Sequence, residues 1–367
     1  MRKAAVRPFG AGALLLLAVA AIGLTSAACR RPKYPEGLYA EVATNKGMIV
    51  LRLEFERVPM TVANFVGLAE GTIDNAALPS GKPFFDGTKW HRVVPGHVIQ
   101  CGMGAGGKAE DPGYEFPNEI VLPGLDHGRA GVVGMANGGP HTNGSQWYIT
   151  LGDRSYLDGD YTVFGSVIAG MDTVMAIVQD DLVETVRIVR VGRKARTFRP
   201  TTASFKAQVE AAKAGVIRAD AERKAREDEY VRTNWPAAVR SEDGVESVVL
   251  REGLGGTPAP GAVVKAVYAG QAPLAGKSFV STADEGKPYW GETPEPFELT
   301  IGTARVNPGL DAAIGRMKKG EKRLVIVRPE MGYTANGFYA RQRPGEKRFV
   351  ISPNTLLVYE VESLDIK

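Results

Sequence analysis

Residues 201–235 differ from everything around them. Thr201 to Trp235 is dominated by Lys, Arg, Glu, Asp and Ala and is bounded by Pro200 and Pro236. It holds one of the chain's 44 glycines, Gly215, and none of its 23 prolines. Phe205, Val209, Ala212 and Val216 recur at steps of three and four, the period of one helix face. A helix of that length extends about 50 Å. On both sides the texture is the reverse: short apolar runs broken by Gly- and Pro-containing turns. A chain of 367 residues is longer than one hydrophobic core usually serves. The expectation is therefore a mainly β protein of two domains, residues 37–195 and 241–367, joined by a charged helical linker over 196–240. The helix is either a rigid spacer or folds back onto one domain, and its charges form a solvated face.

Composition excludes little else. Hydrophobic residues at 44% and charged residues at 23% are those of an ordinary globular protein. A net charge of +4 with no basic block gives no reason to expect nucleic acid.

Residues 1–28 read as a signal peptide. Arg2, Lys3 and Arg7 make a basic start, Gly10 to Leu24 is an apolar run too short for a comfortable membrane span, and small residues precede Cys29. A Cys in that place resembles a lipoprotein cleavage site, where Cys29 would be acylated and residues 29–36 would tether the fold. Such sites usually carry Leu three positions earlier, where this chain has Ser26, so ordinary signal cleavage stays open. The expected location is the bacterial cell envelope or periplasm, with a membrane anchor on Cys29. Cys101 is the only other cysteine, so an acylated Cys29 leaves no disulfide partner.

The first domain opens with a hairpin, YAEVATNKGMIVLRLEF, and a helix in VPMTVANFVGLAEGT, with Pro59 in its first turn and Gly71 as its cap. The stretch WHRVVPGHVIQCG, Trp90 to Gly102, reads as strand, Pro-Gly turn and strand. Its Arg92 and Gln100 need explaining, because burying either unpaired costs several kcal/mol, on the order of. Four motifs supply the reason: TVANFVGLAEG, FFDGTKWHRVVPGHVIQCG, GVVGMANGGPHTNGSQWYIT and YLDGDYTVFGSV. In this order and spacing the domain resembles a cyclophilin.

That resemblance implies a closed eight-stranded barrel and peptidyl-prolyl cis-trans isomerase activity in a groove on its outer surface. Rotating a peptide bond meets a barrier of about 18–20 kcal/mol, so an X-Pro bond takes roughly tens to hundreds of seconds to isomerise unaided. The twisted amide returns a lone pair to the prolyl nitrogen, and a donor fixed there binds the transition state better than the planar amide. Arg92 matches the family's catalytic arginine, Gln100 the glutamine that binds substrate and holds it, and Asn137 the residue whose backbone binds the peptide. Groove positions fall on His97, Val98, Ala136, Gln146, Tyr148, Tyr156, Leu157 and Tyr161. His97 and Tyr148 replace the usual Phe, Val98 the usual Met and Tyr161 a common His, which predicts a more polar pocket. Tyr156 stands where drug-sensitive members carry Trp, so cyclosporin should bind weakly. The four histidines lack metal-ligand spacing, and no metal or cofactor is expected.

The second domain resembles an FKBP through VYAG, GKSFVST, FELTIG, NPGLDAAIGRMKKGEKRLVIVRPEMGY and TLLVYEVESLDI. The resemblance implies an antiparallel sheet wrapped around a short helix, with a proline pocket formed by Tyr268, Phe279, Phe297, Val306, Asn307, Leu310, Tyr333, Ile351 and Tyr359. Tyr333 would donate a hydrogen bond to the substrate carbonyl. Val280 stands in place of the usual Asp, Asn307 of the usual Ile and Leu310 of the usual Trp, and residues 283–296 are longer than the pattern needs. Together the domains match dual-family immunophilins. The expected function is prolyl isomerisation during folding of exported proteins, centred on the first domain, with the second as another isomerase or a client-binding site. The alternative is a non-catalytic, chaperone-like clamp for extended proline-containing chains. Partners on either reading are unfolded or partly folded proteins with X-Pro bonds.

Overall fold

A computed structural model describes residues 34–104, 112–303, 307–339 and 349–367. The expected signal peptide, Cys29 and Val306 lie outside the described residues.

Eight antiparallel strands form the first sheet: β1 (Gly37–Thr44), β2 (Gly47–Leu53), β3 (Arg92–Val94), β4 (Val98–Cys101), β5 (Val132–Asn137), β6 (Asn143–Thr150), β7 (Val163–Ala169) and β8 (Val183–Val191). Their hydrogen-bonded order is β3-β4-β6-β5-β7-β2-β1-β8. Strand alternation sends Leu38, Ala40 and Val42 of β1 and Ile49, Leu51 and Leu53 of β2 into one core. Helix α1 (Pro59–Glu70) lies in that core, with every residue from Met60 to Ala69 buried. Its ends follow the sequence: Pro59 opens it, and Gly71 closes it at φ 70°, a left-handed value glycine adopts freely. Val58 provides no side-chain cap. Glu119 serves instead, accepting from the backbone N–H groups of Met60 (3.2 Å) and Thr61 (2.6 Å).

The strand count agrees with the cyclophilin expectation, but the closed barrel is not seen. The pairing runs as an open path with β3 and β8 at its ends. β3 is three residues long, too short to carry a ladder to β8. The segment that precedes β3 does meet the start of β8, through a Lys89–Leu182 bridge and hydrogen bonds from Gly87 to Val183 and from Val183 to Thr88, both 2.8 Å. Two short helices, α2 (Met171–Ala176) and α3 (Arg193–Thr197), flank β8.

Helix α4 (Thr202–Asn234) is the charged segment, opened by a reciprocal Thr201–Ser204 capping box. Phe205 and Val209 belong to the first core, and the Phe205 ring packs 5.3 Å from Tyr114 and 5.7 Å from Phe116. At the other end Val231 is buried with Ile326, Leu356 and Val358 of the second domain. Glu227, also buried, meets Arg223 at 2.5 Å and Arg328 at 3.8 Å. The helix thus packs at both ends, one on each domain, whereas the sequence suggested a spacer or attachment to one.

The second sheet has β9 (Val239–Arg240), β10 (Glu246–Arg251), β11 (Val263–Ala272), β12 (Lys277–Ser281), β13 (Pro288–Tyr289), β14 (Phe297–Thr300), β15 (Lys322–Val327) and, after α5 (Pro308–Ile314) and the small pair β16 (Phe338–Tyr339) and β17 (Phe349–Ile351), β18 (Leu357–Ile366). The order is β13-β12-β11-β18-β15-β10-β9, with β14 also on β11. Leu310, Ala313 and Ile314 of α5 are buried in this domain's core against β11, β15 and β18 residues, as expected for a sheet around a short helix.

Candidate active site

β3 and β4 pair so that Arg92 lies opposite Gln100. On β4, Ile99 and Cys101 enter the core, so Val98 and Gln100 face outward. Trp147 and Ile149 of β6 are likewise core residues, which puts Gln146 and Tyr148 on the same outer face. Arg92 is exposed and paired, not buried: its Nη1 donates to Gln100 Oε1 at 3.2 Å, and Gln100 Nε2 donates to Gln146 Oε1 at 2.9 Å. The chain Arg92–Gln100–Gln146 therefore crosses three strands and holds a permanent cation in one direction.

Ala136 and Asn137 end β5 beside this chain, and with Gln100 and Gln146 they line a cavity of about 410 Å³. The Asn137 side chain is used locally: Nδ2 donates to the Asp160 carbonyl at 3.1 Å and Oδ1 accepts the Gly139 N–H at 3.3 Å. Tyr156 and Leu157 sit on a short 3-10 turn, Ser155–Leu157. The Tyr156 hydroxyl lies 3.2 Å from the His97 imidazole, and the two rings are 5.9 Å apart. Burial, and then the Arg154 and Arg92 charges, hold the His97 pKa below its ordinary 6.5.

Tyr148 is 4% exposed and packs edge-on to Tyr161 at 6.1 Å. Its hydroxyl is not left to the groove. It lies 2.7 Å from Nε2 of the fully buried His127, whose Nδ1 meets Asp158 at 2.7 Å. The extra polarity expected from Tyr148 is thus satisfied internally. Gly134, its neighbour on β5, makes the room: a Cβ there would stand 2.5 Å from the Tyr148 hydroxyl oxygen. Sequence reasoning missed His127, Asp158 and Gly134. The signal for them lay in Tyr148 itself, since a buried phenol needs a partner.

In the second domain Tyr268, Phe279, Phe297 and Tyr359 form an edge-to-face cage, with ring centroids 5.1 to 6.2 Å apart. Phe297, Asn307, Leu310 and Tyr333 line a cavity of about 500 Å³, joined by Phe338. Tyr268, Phe279, Ile351 and Tyr359 lie in the core behind it. No carboxylate stands at Val280. The Tyr268 hydroxyl donates instead to the Gly286 carbonyl at 2.6 Å, which gives part of the long 283–296 segment a task. Gly286 sits at φ 65°, and a Cβ would stand 2.7 Å from the Phe297 ring, so this position requires glycine.

Comparison with known proteins agrees with both halves of this picture. Residues 39–193 match the family described as cyclophilin type peptidyl-prolyl cis-trans isomerase, and residues 255–364 match FKBP-type peptidyl-prolyl cis-trans isomerase. Peptidyl-prolyl cis-trans isomerase A of Mycobacterium tuberculosis is 44% identical over 133 residues, 35% of this chain and 72% of its own length. Peptidyl-prolyl cis-trans isomerase B of Streptomyces anulatus is 40% identical over 148 residues, 39% of this chain and 84% of its own. Among solved structures, a cyclophilin type isomerase of Cryptosporidium parvum is 26% identical, covers 42% of this chain and 98% of its own, and has a TM-score of 0.36. The chain belongs to the cyclophilin type peptidyl-prolyl cis-trans isomerases and carries a second, FKBP-type segment.

Proposed function

We propose that the chain isomerises X-Pro bonds, chiefly in the groove of the first domain, and assists the folding of proteins exported to the bacterial envelope. The observation that carries the reading is the Arg92–Gln100–Gln146 chain. A guanidinium aimed by two amides is a fixed donor, and a fixed donor favours the twisted amide, whose nitrogen accepts, over the planar one, whose nitrogen does not. Asn137 would hold the peptide through its backbone, and Val98, Tyr148 and Leu157 would seat the proline ring, with His97, Tyr156 and Tyr161 around them. No nucleophile or proton transfer is needed. Acylation of Cys29 and membrane anchoring belong to the same reading, as do domain limits at 37–195 and 241–367.

The test is exchange NMR on an X-Pro peptide, comparing the unmutated chain with Arg92→Ala and Tyr333→Phe. Turnover in the first-domain groove should fall roughly 100- to 1,000-fold in Arg92→Ala, the loss on the order of that seen when one fixed transition-state donor is removed. Turnover that survives Arg92→Ala and drops in Tyr333→Phe would move catalysis to the second domain. An inactive unmutated chain that still binds the peptide would favour the clamp. Tyr156 in the groove goes with weak cyclosporin binding, and a nanomolar Kd by titration would overturn that part.

A further inference from the structure

One wall of the first groove is held from beneath by a buried histidine. Tyr148 stands between two cross-strand partners, Gln100 on β4 and Gly134 on β5. All three face outward, because Ile99, Val133, Met135 and Trp147 beside them enter the core. The Tyr148 side chain lies over Gly134: a Cβ there would come within 2.5 Å of the hydroxyl oxygen and 2.6 Å of the ring carbon that bears it. It therefore leans toward β5 and away from Gln100. Strand geometry alone does not require that lean. A side chain on a strand has more than one common χ1 value, and another value would lift the ring from Gly134 toward the groove.

What fixes the ring acts at its hydroxyl. The oxygen lies 2.7 Å from Nε2 of His127, and Nδ1 of that imidazole lies 2.7 Å from Oδ1 of Asp158. The same Asp158 oxygen accepts the His127 backbone N–H at 2.8 Å, so one carboxylate holds both the backbone and the ring of the histidine. A carboxylate accepts and does not donate, which assigns the imidazole proton to Nδ1 and leaves Nε2 as an acceptor. Burial pushes the Tyr148 phenol well above its ordinary 10, so its proton is present and goes to Nε2. Donor and acceptor match at every step from Asp158 to Tyr148. The His127 side chain is fully buried, and its ring stacks on Tyr148 with centroids 6.0 Å apart.

We propose that His127 and Asp158 are positioning residues for prolyl isomerisation, which hold the Tyr148 ring down over Gly134 and so keep the proline seat open. Their role rests on the first groove being the place of turnover, as proposed above, and adds a conformational equilibrium to it. Released from Nε2, the Tyr148 hydroxyl is a buried group without a partner and is driven toward water. The ring that follows it fills the seat. Substrate then binds only the fraction of molecules whose Tyr148 is down, and the apparent affinity falls by that fraction. At saturation the peptide itself selects the open form, so the bound rate does not change. The signature is a raised KM with an unaltered kcat.

His127→Leu, made in the full chain, tests this. Leucine fills the buried site and accepts nothing. NMR line shapes across a titration with an X-Pro peptide give KM and kcat separately. Turnover that remains in a matched chain with Arg92→Ala is subtracted, which isolates the first groove. KM should rise roughly three- to tenfold, the value of one hydrogen bond, while kcat holds. An NOE between the Tyr148 ring and the Gly134 Hα, present in the parent, should weaken. In a Tyr148→Phe background no hydroxyl seeks a partner, and His127→Leu should then leave KM where that background sets it. A merely structural histidine gives the opposite: kcat falls with the folded fraction, KM holds, and the loss persists in Tyr148→Phe. Any of these overturns the proposal, as does a raised KM with the NOE at full strength. If His127→Leu does not fold, Asp158→Ala replaces it, since Asp158 is only partly buried. A KM rise that vanishes in Tyr148→Phe supports the anchor, and a rise that persists there, or no rise at all, overturns it. A parent without Arg92-dependent turnover overturns the isomerase reading and the positioning role together, whereas an active parent with KM unmoved by either variant overturns the anchor alone.

Discussion

His97 illustrates how a single side chain couples this groove to pH. Its imidazole stands near two cations, Arg92 and Arg154, and is partly buried, and all three influences disfavour the charged form. His91 and His141 are also lowered, with burial as the first cause in each. The sign for stability follows. Each folded-state pKa lies below the unfolded value near 6.5, so the unfolded chain binds protons that the folded chain refuses. Stability is therefore full above pH 6.5 and declines as pH falls through 6.5 toward the depressed folded values. The urea midpoint, followed by tryptophan fluorescence, should drop between pH 7.5 and about pH 5.5, before the carboxylates titrate. A midpoint that rises over that interval would show that these histidines gain, rather than lose, affinity for protons on folding. Above pH 7 the same groups are neutral, and the groove keeps Arg92 as its positive donor without competition from His97.

At the level of elements, the parts legible in the sequence were those set by short-range rules. The β1–β2 hairpin, the Pro59 and Gly71 limits of α1 and the pairing of Arg92 with Gln100 across a turn depend on residues no more than 15 positions from each other, as Leu38 is from Leu53. Strand alternation then placed Arg92, Gln100, Gln146 and Tyr148 on one face. What the sequence did not disclose depends on distant partners. The Tyr148 hydroxyl is satisfied by His127, and the α1 N-terminus by Glu119, 58 residues from Thr61. The Tyr268 hydroxyl found a backbone carbonyl in a segment that looked like surplus loop. Helix α1 reads as amphipathic because Thr61 and Asn64 interrupt its apolar positions, yet both are buried. Thr61 donates to Glu119 at 2.7 Å and Asn64 donates to the Gly144 carbonyl at 2.9 Å. Polarity in the sequence marked a need for partners, not exposure.

Across the whole molecule, α4 determines how far the folding of one domain is felt by the other. Its first turns contribute Phe205 and Val209 to one core, and its last contribute Val231 to another. Between them residues 217–222 are all exposed, and Gly215 weakens the middle by roughly 0.5–1 kcal/mol relative to Ala. The side-chain pairs there, such as Lys224 with Asp220 at 3.2 Å, are surface ion pairs worth at most about 0.5 kcal/mol each. That stretch transmits little free energy, so the domains should unfold as two weakly coupled units even though the helix runs without a break. Phe205→Ala, in the full chain, should cost the first domain roughly 3–5 kcal/mol by leaving a cavity against Tyr114 and Phe116, lowering its transition by on the order of 10 °C. The transition of the second domain should stay within about 1–2 °C of its original value, and Val231→Ala should do the converse. Calorimetry separates the two, and tryptophan fluorescence in a Trp235→Phe, Trp290→Phe background, which leaves only the buried Trp90 and Trp147, identifies the first-domain transition. A single transition displaced as a whole by Phe205→Ala would mean that the exposed stretch of α4 carries enough helical cooperativity to join the two cores into one folding unit.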